Sequence, residues 1–156
     1  MTEIRIVRDY PHSPAKVWRT LTEPDLIARW GMRAEGFSTV VGSRFKFYGK
    51  PNRNWRGFIE CELLEARAPT LLRYSWIDSE GGKPTLVSWR LEPHSGGGTR
   101  LHFAHTGFTG VRGFLLAQLV MGPGHRKLLL RVLPALLADL DDAGQLRPGS
   151  TFTSTH

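Results

Sequence analysis

Residues 3–30, EIRIVRDYPHSPAKVWRTLTEPDLIARW, contain the signals that decide the fold. The first eight of them alternate between apolar and charged side chains, which predicts a half-buried strand. Ser13 and Pro14 predict the start of a helix, because serine is a preferred N-cap and proline fits the first helical position. Thr22 is expected to cap a second short helix whose buried face ends on Trp30. The stretch therefore predicts a strand followed by two short helices.

Between residues 37 and 106 the apolar pattern has a period of two, which predicts antiparallel strands. FSTVV (37–41) and RFKFY (44–48) are expected to form a hairpin around Gly42 and Ser43. Four further segments have the same alternation: WRGFIECELLEA, LLRYSWI, TLVSWRLEP and TRLHFAHT. A sheet of this kind packs one face on the core and leaves the other in water.

After this region the pattern becomes helical. VRGFLLAQLVM (111–121) predicts a short apolar helix, GPG (122–124) is expected to interrupt it, and HRKLLLRVLPALLADLDD (125–142) predicts the last helix. Pro134 should kink that helix. The order predicts an α+β fold, in which a curved antiparallel sheet of about six to seven strands wraps around a long C-terminal helix.

The length of 156 residues predicts one domain over residues 1–142, followed by a flexible tail at 143–156. The chain has no run of 18 apolar residues and no signal-peptide pattern at its start. The single cysteine, Cys61, cannot form an internal disulfide, and these features together favour a cytoplasmic protein. The net charge of +7 is spread along the chain, which favours solubility over nucleic-acid binding.

Several motifs resemble bacterial members of the family named after the activator of heat-shock-protein-90 ATPase, within the START-like (SRPBCC) superfamily. The resemblance covers about residues 3–142 and rests on SPAKVWRTLTEPDLIARW, the YSW strand, VSWRLEP, GGTRLHFAHTGF and GPGHRKLLLRVLPALLADL. It implies a helix-grip fold with a cavity between the sheet and the C-terminal helix. The eukaryotic namesake has two domains and this chain has room for one, so a chaperone partner is implied by family analogy only.

Aromatic side chains recur on the face of the sheet that should meet the long helix. They either fill the core or line a cavity, and apolar cavities with a few polar groups are typical of ligand sites. His105 is in phase with Leu101 and Phe103, so it is expected to point inward, either as a satisfied core histidine or toward a ligand. The candidate ligand-binding residues are Phe45, Phe47, Trp55, Tyr74, Trp76, Trp89, Phe103 and His105.

His125, Arg126 and Lys127 follow GPG at the expected start of the last helix. A helix N-terminus with added cations can bind an anion, although cations there oppose the helix dipole and are more often solvated. His102 and His105 lie three apart on a strand and therefore face opposite sides, so they cannot share a metal ion. We expect neither a metal nor another cofactor.

The leading hypothesis is a binding protein that holds a hydrophobic or amphipathic small molecule between the sheet and the C-terminal helix, as a monomer or a homodimer. The first alternative is a cyclase or hydrolase that uses His105 and Tyr74 as acid and base, although no nucleophile motif supports an enzyme. The second is a protein-interaction module, stress- or chaperone-related by family analogy. The apolar segment Val111–Met121 is expected to be buried as a cavity lid, whereas an exposed apolar face would make it a dimer contact, a membrane-binding surface or a partner site.

Overall fold

The computed structural model of the protein describes residues 2–149. In it, seven antiparallel strands form one sheet in the order β1-β7-β6-β5-β4-β3-β2. The strands are β1 Thr2–Tyr10, β2 Arg33–Glu35, β3 Arg44–Tyr48, β4 Phe58–Arg67, β5 Leu71–Trp76, β6 Thr85–His94 and β7 Gly98–Phe108. The helices are α1 Pro14–Thr22, α2 Pro24–Trp30 and α3, a 29-residue helix over residues 110–138. The curved sheet and the long helix confirm the predicted α+β architecture.

The two short helices begin by different means. Ser13 caps α1 as predicted, because its hydroxyl accepts a hydrogen bond from the backbone N–H of Lys16 at 3.2 Å. The prediction for α2 is wrong: Thr22 is the last residue of α1, and its hydroxyl donates to the carbonyl of Trp18. Glu23 takes the N-cap position of α2 without a side-chain bond.

The predicted strand at 37–41 is absent from the sheet, and Arg33–Glu35 pairs with β3 in its place. Gly36 ends this strand in the left-handed region at φ 76°, where glycine is favoured. Residues 37–41 then form a surface loop in which Val40 and Val41 are both exposed. Two consecutive exposed side chains cannot belong to a half-buried strand, so the apolar count misled the prediction.

Helix α3 runs through GPG without a break, which contradicts the predicted interruption. Gly110–Leu116, Gly122–Lys127 and Leu133–Ala138 are α-helical, and Ala117–Met121 and Leu128–Val132 are π-helical. Each π turn comes directly before an α segment that holds a proline in its first turn. Proline has no N–H to donate, and the i→i+5 bonds of a π turn shift the hydrogen-bond register by one residue, so the π turns let the helix accommodate Pro123 and Pro134.

The core lies between the inner face of the sheet and the C-terminal half of α3. Seven buried aliphatic side chains of this half and the following turn pack on the sheet: Leu128, Leu129, Val132, Leu133, Leu136, Leu137 and Leu140.

The chain after α3 makes further contacts within the expected tail. Asp141 donates its backbone N–H to the carbonyl of Gln145, and Leu146 packs against the core. The rest of the expected tail, residues 150–156, lies outside the described part of the chain. Within residues 2–149 no helix has the length and hydropathy needed to cross a membrane.

Candidate functional site

The predicted aromatic residues of β3 to β7 lie together on the inner face of the sheet. Phe45 contacts Phe47 and Tyr74 with ring centroids 5.3 and 5.5 Å apart, and Phe47 lies 6.2 Å from Trp76. Trp89 and Phe103 form a second contact at 4.7 Å. The rings meet mostly edge to face, the arrangement that their quadrupoles favour. All of these side chains are buried, so the sheet carries a continuous aromatic layer under α3.

Trp55 is the predicted ligand-binding residue that lies apart from this layer. It precedes β4, pairs with Asn52 in an isolated bridge and is half-buried. A Cβ built on Gly49 would lie 2.9 Å from its ring, so the absence of a side chain there lets the indole pack close to the backbone. Trp55 therefore packs at the periphery of the core.

Two buried donors lie on β5. One is the Tyr74 hydroxyl, whose oxygen accepts from the indole N–H of Trp89 at 3.0 Å and whose own proton makes no hydrogen bond among the described residues. The indole N–H of Trp76 is buried and has no hydrogen-bond partner in this part of the chain. Residues two apart on a strand share a face, so both donors are directed to the interior.

A chain of hydrogen bonds runs beside Trp76. Thr85 donates its hydroxyl proton to the backbone carbonyl of Trp76 at 3.2 Å, so its oxygen is left to accept from Nε2–H of His105 at 2.7 Å. Nδ1 of His105 then accepts from Nε2–H of His125 at 3.0 Å. Thr85 and each neutral histidine have one proton to donate. The direction of this series of hydrogen bonds therefore fixes the tautomer of both histidines and leaves Nδ1 of His125 as an acceptor.

Both histidines are neutral near pH 7. Burial lowers the pKa of His105 to about 3, and the adjacent His125 adds to this effect. Burial also lowers the pKa of His125 to about 4. The aromatic rings of Trp76, Phe103 and Phe108 surround the pair at centroid distances of 4.6 to 6.2 Å. Such apolar surroundings disfavour the charged form.

Tyr74 and His105, the predicted acid and base, share a face but not a contact. Tyr74 pairs with Val87, which pairs with His105, so the two residues are separated by two strand spacings, or about 10 Å. Burial raises the pKa of the Tyr74 hydroxyl, which keeps it protonated. Tyr74 is therefore a hydrogen-bond donor, and proton transfer between the two would need an intervening group.

The three predicted anion-binding residues lie in different environments in the structure. His125 faces the core, and Arg126 and Lys127 are exposed. All three lie within the continuous helix α3, so the helix N-terminus on which the prediction depended does not exist at this position. Because GPG predicts a break, the sequence pattern did not indicate that His125, Leu129 and Val132 follow helical spacing on the buried face. Thr85 was also missed, because a threonine at a strand start gives no distinct signal.

Two of the pockets on the surface of residues 2–149 contain none of the predicted ligand-binding residues. One of about 520 Å³ lies on the outer face of the sheet and includes Leu64, Ile77 and Leu86. The other, of about 220 Å³, lies beside His12 and Lys16. In residues 2–149 no group of three or more His, Cys, Asp or Glu side chains could hold a metal ion.

A curved sheet that holds a long C-terminal helix, with polar groups buried between them, defines a helix-grip domain of the START-like class. The family model described as "Activator of Hsp90 ATPase homolog 1-like protein" matches residues 11–136, and the chain belongs to this family.

Solved structures share this fold. Protein MLL2253 from Mesorhizobium loti is 30% identical, with a TM-score of 0.66, over 86% of this chain and 98% of that one. The Aha1 dimer from Colwellia psychrerythraea is 21% identical, with a TM-score of 0.70, over 88% and 96%. DynU16, described as a putative protein in the dynemicin biosynthetic locus, is 20% identical, with a TM-score of 0.72, over 87% and 47%. No curated protein matched the chain.

Proposed function

We propose that the protein binds a flat, largely apolar small molecule between the inner face of the sheet and the N-terminal half of α3, residues 110–124. The ligand would take the place of part of the apolar packing between this half of the helix and the core, which Leu116 and Met121 contribute. Its polar atoms would bond to the donors on β5. A few polar groups within an apolar and aromatic surrounding are the usual composition of a small-molecule site, and this composition supports the proposal.

The indole N–H of Trp76 is the observation that carries the proposal. A buried donor without an acceptor costs about 1–3 kcal/mol, and such groups are rare in folded proteins. The hydroxyl of Tyr74, two residues earlier on the same face, is a second donor whose residue lies about 7 Å away along the strand. A ligand with one or two acceptor oxygens would satisfy these donors.

The ligand's acceptors are proposed to be neutral. His105 and His125 have pKa values lowered to about 3 and about 4, so neither supplies a positive charge at physiological pH. A carboxylate buried beside them would lack a charge partner, which is costly in an apolar interior. A carbonyl, ether or phenol oxygen therefore fits this site better than an acid group.

Access is proposed through movement of the N-terminal half of α3. In this half Ala117 and Gly122 are buried and Leu116 and Met121 are partly buried, so it contributes little apolar surface to the core. This half contains a π turn over Ala117–Met121, a feature often found at functional sites. The description of DynU16 as belonging to a biosynthetic locus is compatible with small-molecule binding in this fold.

A matched pair of ligands tests the chemistry of the site. We expect 2-acetylnaphthalene, a neutral ketone, to bind at least about tenfold more tightly than 2-naphthoate, because only the carboxylate loses hydration of a charge on entry. Isothermal titration calorimetry and ligand-observed NMR measure both affinities. If neither compound gives saturable binding, or if the carboxylate binds more tightly, the proposal is wrong.

A matched pair of variants tests the donor. Trp76→Phe keeps an aromatic ring and removes the N–H, so the affinity for 2-acetylnaphthalene should fall about fivefold, the equivalent of one hydrogen bond. Trp30→Phe on α2 is the control, because this indole already donates to the carbonyl of Thr20 on α1 at 2.7 Å. This control should lower stability and leave the ketone affinity unchanged. Equal losses of affinity in the two variants would contradict the assigned donor.

An enzymatic role is the second candidate, and the ordered chain from His125 to Thr85 favours it. A base would take a proton from carbon onto Nδ1 of His125, leaving an enolate. A pKa of about 4 makes this histidine a weak base, so we expect the acetyl protons of bound 2-acetylnaphthalene to exchange with deuterium at the background rate. Accelerated exchange that is lost in His125→Leu, as followed by NMR, would favour the enzyme instead.

A further inference from the structure

The N-terminal half of α3 has a face that the described fold leaves uncovered, and we propose that this face docks the protein onto an anionic lipid bilayer. We define the docking face as the exposed apolar side chains of this half together with the exposed basic side chains of α3. The apolar members are Val111, Phe114, Leu115, Leu119 and Val120, and the basic members are Arg112, Arg126, Lys127 and Arg131.

The apolar members are unusually exposed for their size. Val111, Leu119 and Val120 are 77%, 71% and 60% exposed. Phe114 and Leu115 are about half exposed, at 49% and 47%. These five side chains occur within ten residues of one helix. A helix that lies in a membrane interface buries such a face about 5–10 Å into the headgroup and acyl boundary.

The charge of α3 is wholly positive. Residues 110–138 contain three arginines and one lysine and no aspartate or glutamate. On the neighbouring strand β1, Arg8 has the same strand phase as the buried Ile4 and Ile6, so it adds a positive charge on the side of the sheet that faces the helix. Basic and apolar side chains on one helical surface complement the negative potential and the hydrocarbon of an anionic membrane.

The nearest acidic groups in sequence lie at the far end. Asp139, Asp141 and Asp142 follow the helix, about 36 Å along its axis from Leu115. The loop between β5 and β6, at the sheet end near the start of α3, carries Asp78, Glu80 and Lys83, which leaves one net negative charge there. The three aspartates lie two turns or more beyond Arg131, the nearest basic member of the docking face, and none lies beside its apolar members.

The same charges argue against a second copy as the occupant. Two copies joined through this face would bring two helices of charge +4 together without an acidic residue on either helix. Like charges across an interface oppose association, whereas an anionic bilayer supplies the opposite charge and accepts the apolar side chains. This inference does not depend on the proposed ligand, since it concerns the outer surface of the helix.

Vesicle flotation of the full chain tests the proposal. We expect the protein to float with phosphatidylcholine vesicles that contain 30% phosphatidylglycerol, to bind pure phosphatidylcholine vesicles far more weakly, and to lose binding as the salt concentration rises. Equal binding to both vesicle types, or no binding to either at low salt, would overturn the proposal.

Two pairs of variants identify the face. The double variant Leu119→Ser with Val120→Ser should weaken partition into the vesicles at least about tenfold. Its control, Val40→Ser with Val41→Ser, removes side chains that are similarly exposed at 67% and 63% and should leave partition unchanged.

The double variant Arg126→Gln with Lys127→Gln should weaken partition into the vesicles about 25-fold. Lys50→Gln with Arg53→Gln removes the same charge from an exposed loop and should have a much smaller effect.

Circular dichroism melting confirms that each variant is folded, so a loss of binding can be assigned to the surface. Equal losses in the test and control pairs would overturn the proposal, because general charge and hydrophobicity would then explain the binding. Sedimentation velocity measures self-association of the same samples. A dimer that Leu119→Ser with Val120→Ser dissociates, in a protein that does not bind vesicles, would make the face a subunit contact and would also overturn it.

Discussion

The two halves of α3 differ in what they contribute to the molecule. In the C-terminal half, residues 128–138, the buried side chains are large leucines and valine that pack on the sheet. In the N-terminal half, residues 110–124, the large side chains are mostly exposed, and the buried positions are Ala117 and Gly122. One helix therefore combines a segment that stabilises the core with a segment that adds little to it.

The hydrogen bonds show the same division. The Tyr10 hydroxyl donates to the carbonyl of Leu129 at 2.7 Å, and the buried ammonium of Lys16 donates to the carbonyl of Leu140 at 2.9 Å. Among the described residues, the first side-chain hydrogen bond from α3 to the sheet is that of His125 to His105. The difference indicates that the C-terminal half anchors the helix and that the N-terminal half is free to move or to bind.

Truncating one leucine in each half tests this comparison most directly. Leu136→Ala should lower the free energy of unfolding by about 2–5 kcal/mol, because Leu136 is 0% exposed and its loss leaves a cavity. Leu119→Ala should change it by less than about 0.5 kcal/mol, because Leu119 is 71% exposed. Urea unfolding followed by circular dichroism measures both values. Similar losses in the two variants would show that the halves are equally important to the core.

Lowering the pH should destabilise the protein at the boundary between the two halves of α3, where His125 contacts His105. The histidine pKa values of about 3 and about 4 in the folded state lie below the unfolded value of about 6.5, so in the range between them the unfolded chain binds more protons. Stability from these two groups is complete above pH 6.5 and is lost as the pH falls toward 4, by on the order of 3 kcal/mol or more. Urea unfolding at a series of pH values measures this loss.

The variant His105→Leu separates this effect from that of the carboxylates. Asp9 and Glu92 also have lowered pKa values, through their bonds to Arg100 and His102, and they lose stability in the same direction at lower pH. Replacing His105 leaves these carboxylates unchanged, and it also leaves His12, whose pKa is likewise lowered by burial, so the slope between pH 6.5 and pH 4 should fall by somewhat less than half. Hydrogen exchange of residues 110–124 should also speed up before global unfolding. An unchanged slope would mean that the histidines are not buried in the neutral form.

Much of the fold was predictable because its signals are local. The alternation in β1, β3 and β5, the cap at Ser13 and the leucine stripe of α3 all follow from backbone periodicity and hydrogen-bonding needs, and the structure confirms them. The errors occurred where tertiary packing decides. The apolar loop at 37–41 has no partner strand, and GPG stays helical because the π turn ahead of it accommodates Pro123.

The site was predictable to a smaller extent. Strand phase was enough to place Tyr74, Trp76 and His105 on one inner face. The bond between His105 and His125 joins residues 20 apart on different elements, and it depends on the phase of a helix whose continuity could not be read from the sequence. The unpaired donor of Trp76 depends on the surrounding packing, for which a single sequence has no signal.

The smallest expected effect concerns the anchor of the C-terminal half. Tyr10→Phe removes the hydrogen bond to Leu129 and keeps the ring, so stability should fall by about 1 kcal/mol. Because packing rather than this bond is expected to hold the C-terminal half, amides at 128–138 should still exchange more slowly than those at 110–124 in the variant, as measured by hydrogen-exchange mass spectrometry. If Tyr10→Phe released residues 128–138 as fully as Leu136→Ala, a single hydrogen bond would be holding the helix, and the contrast between its halves would not come from buried apolar surface.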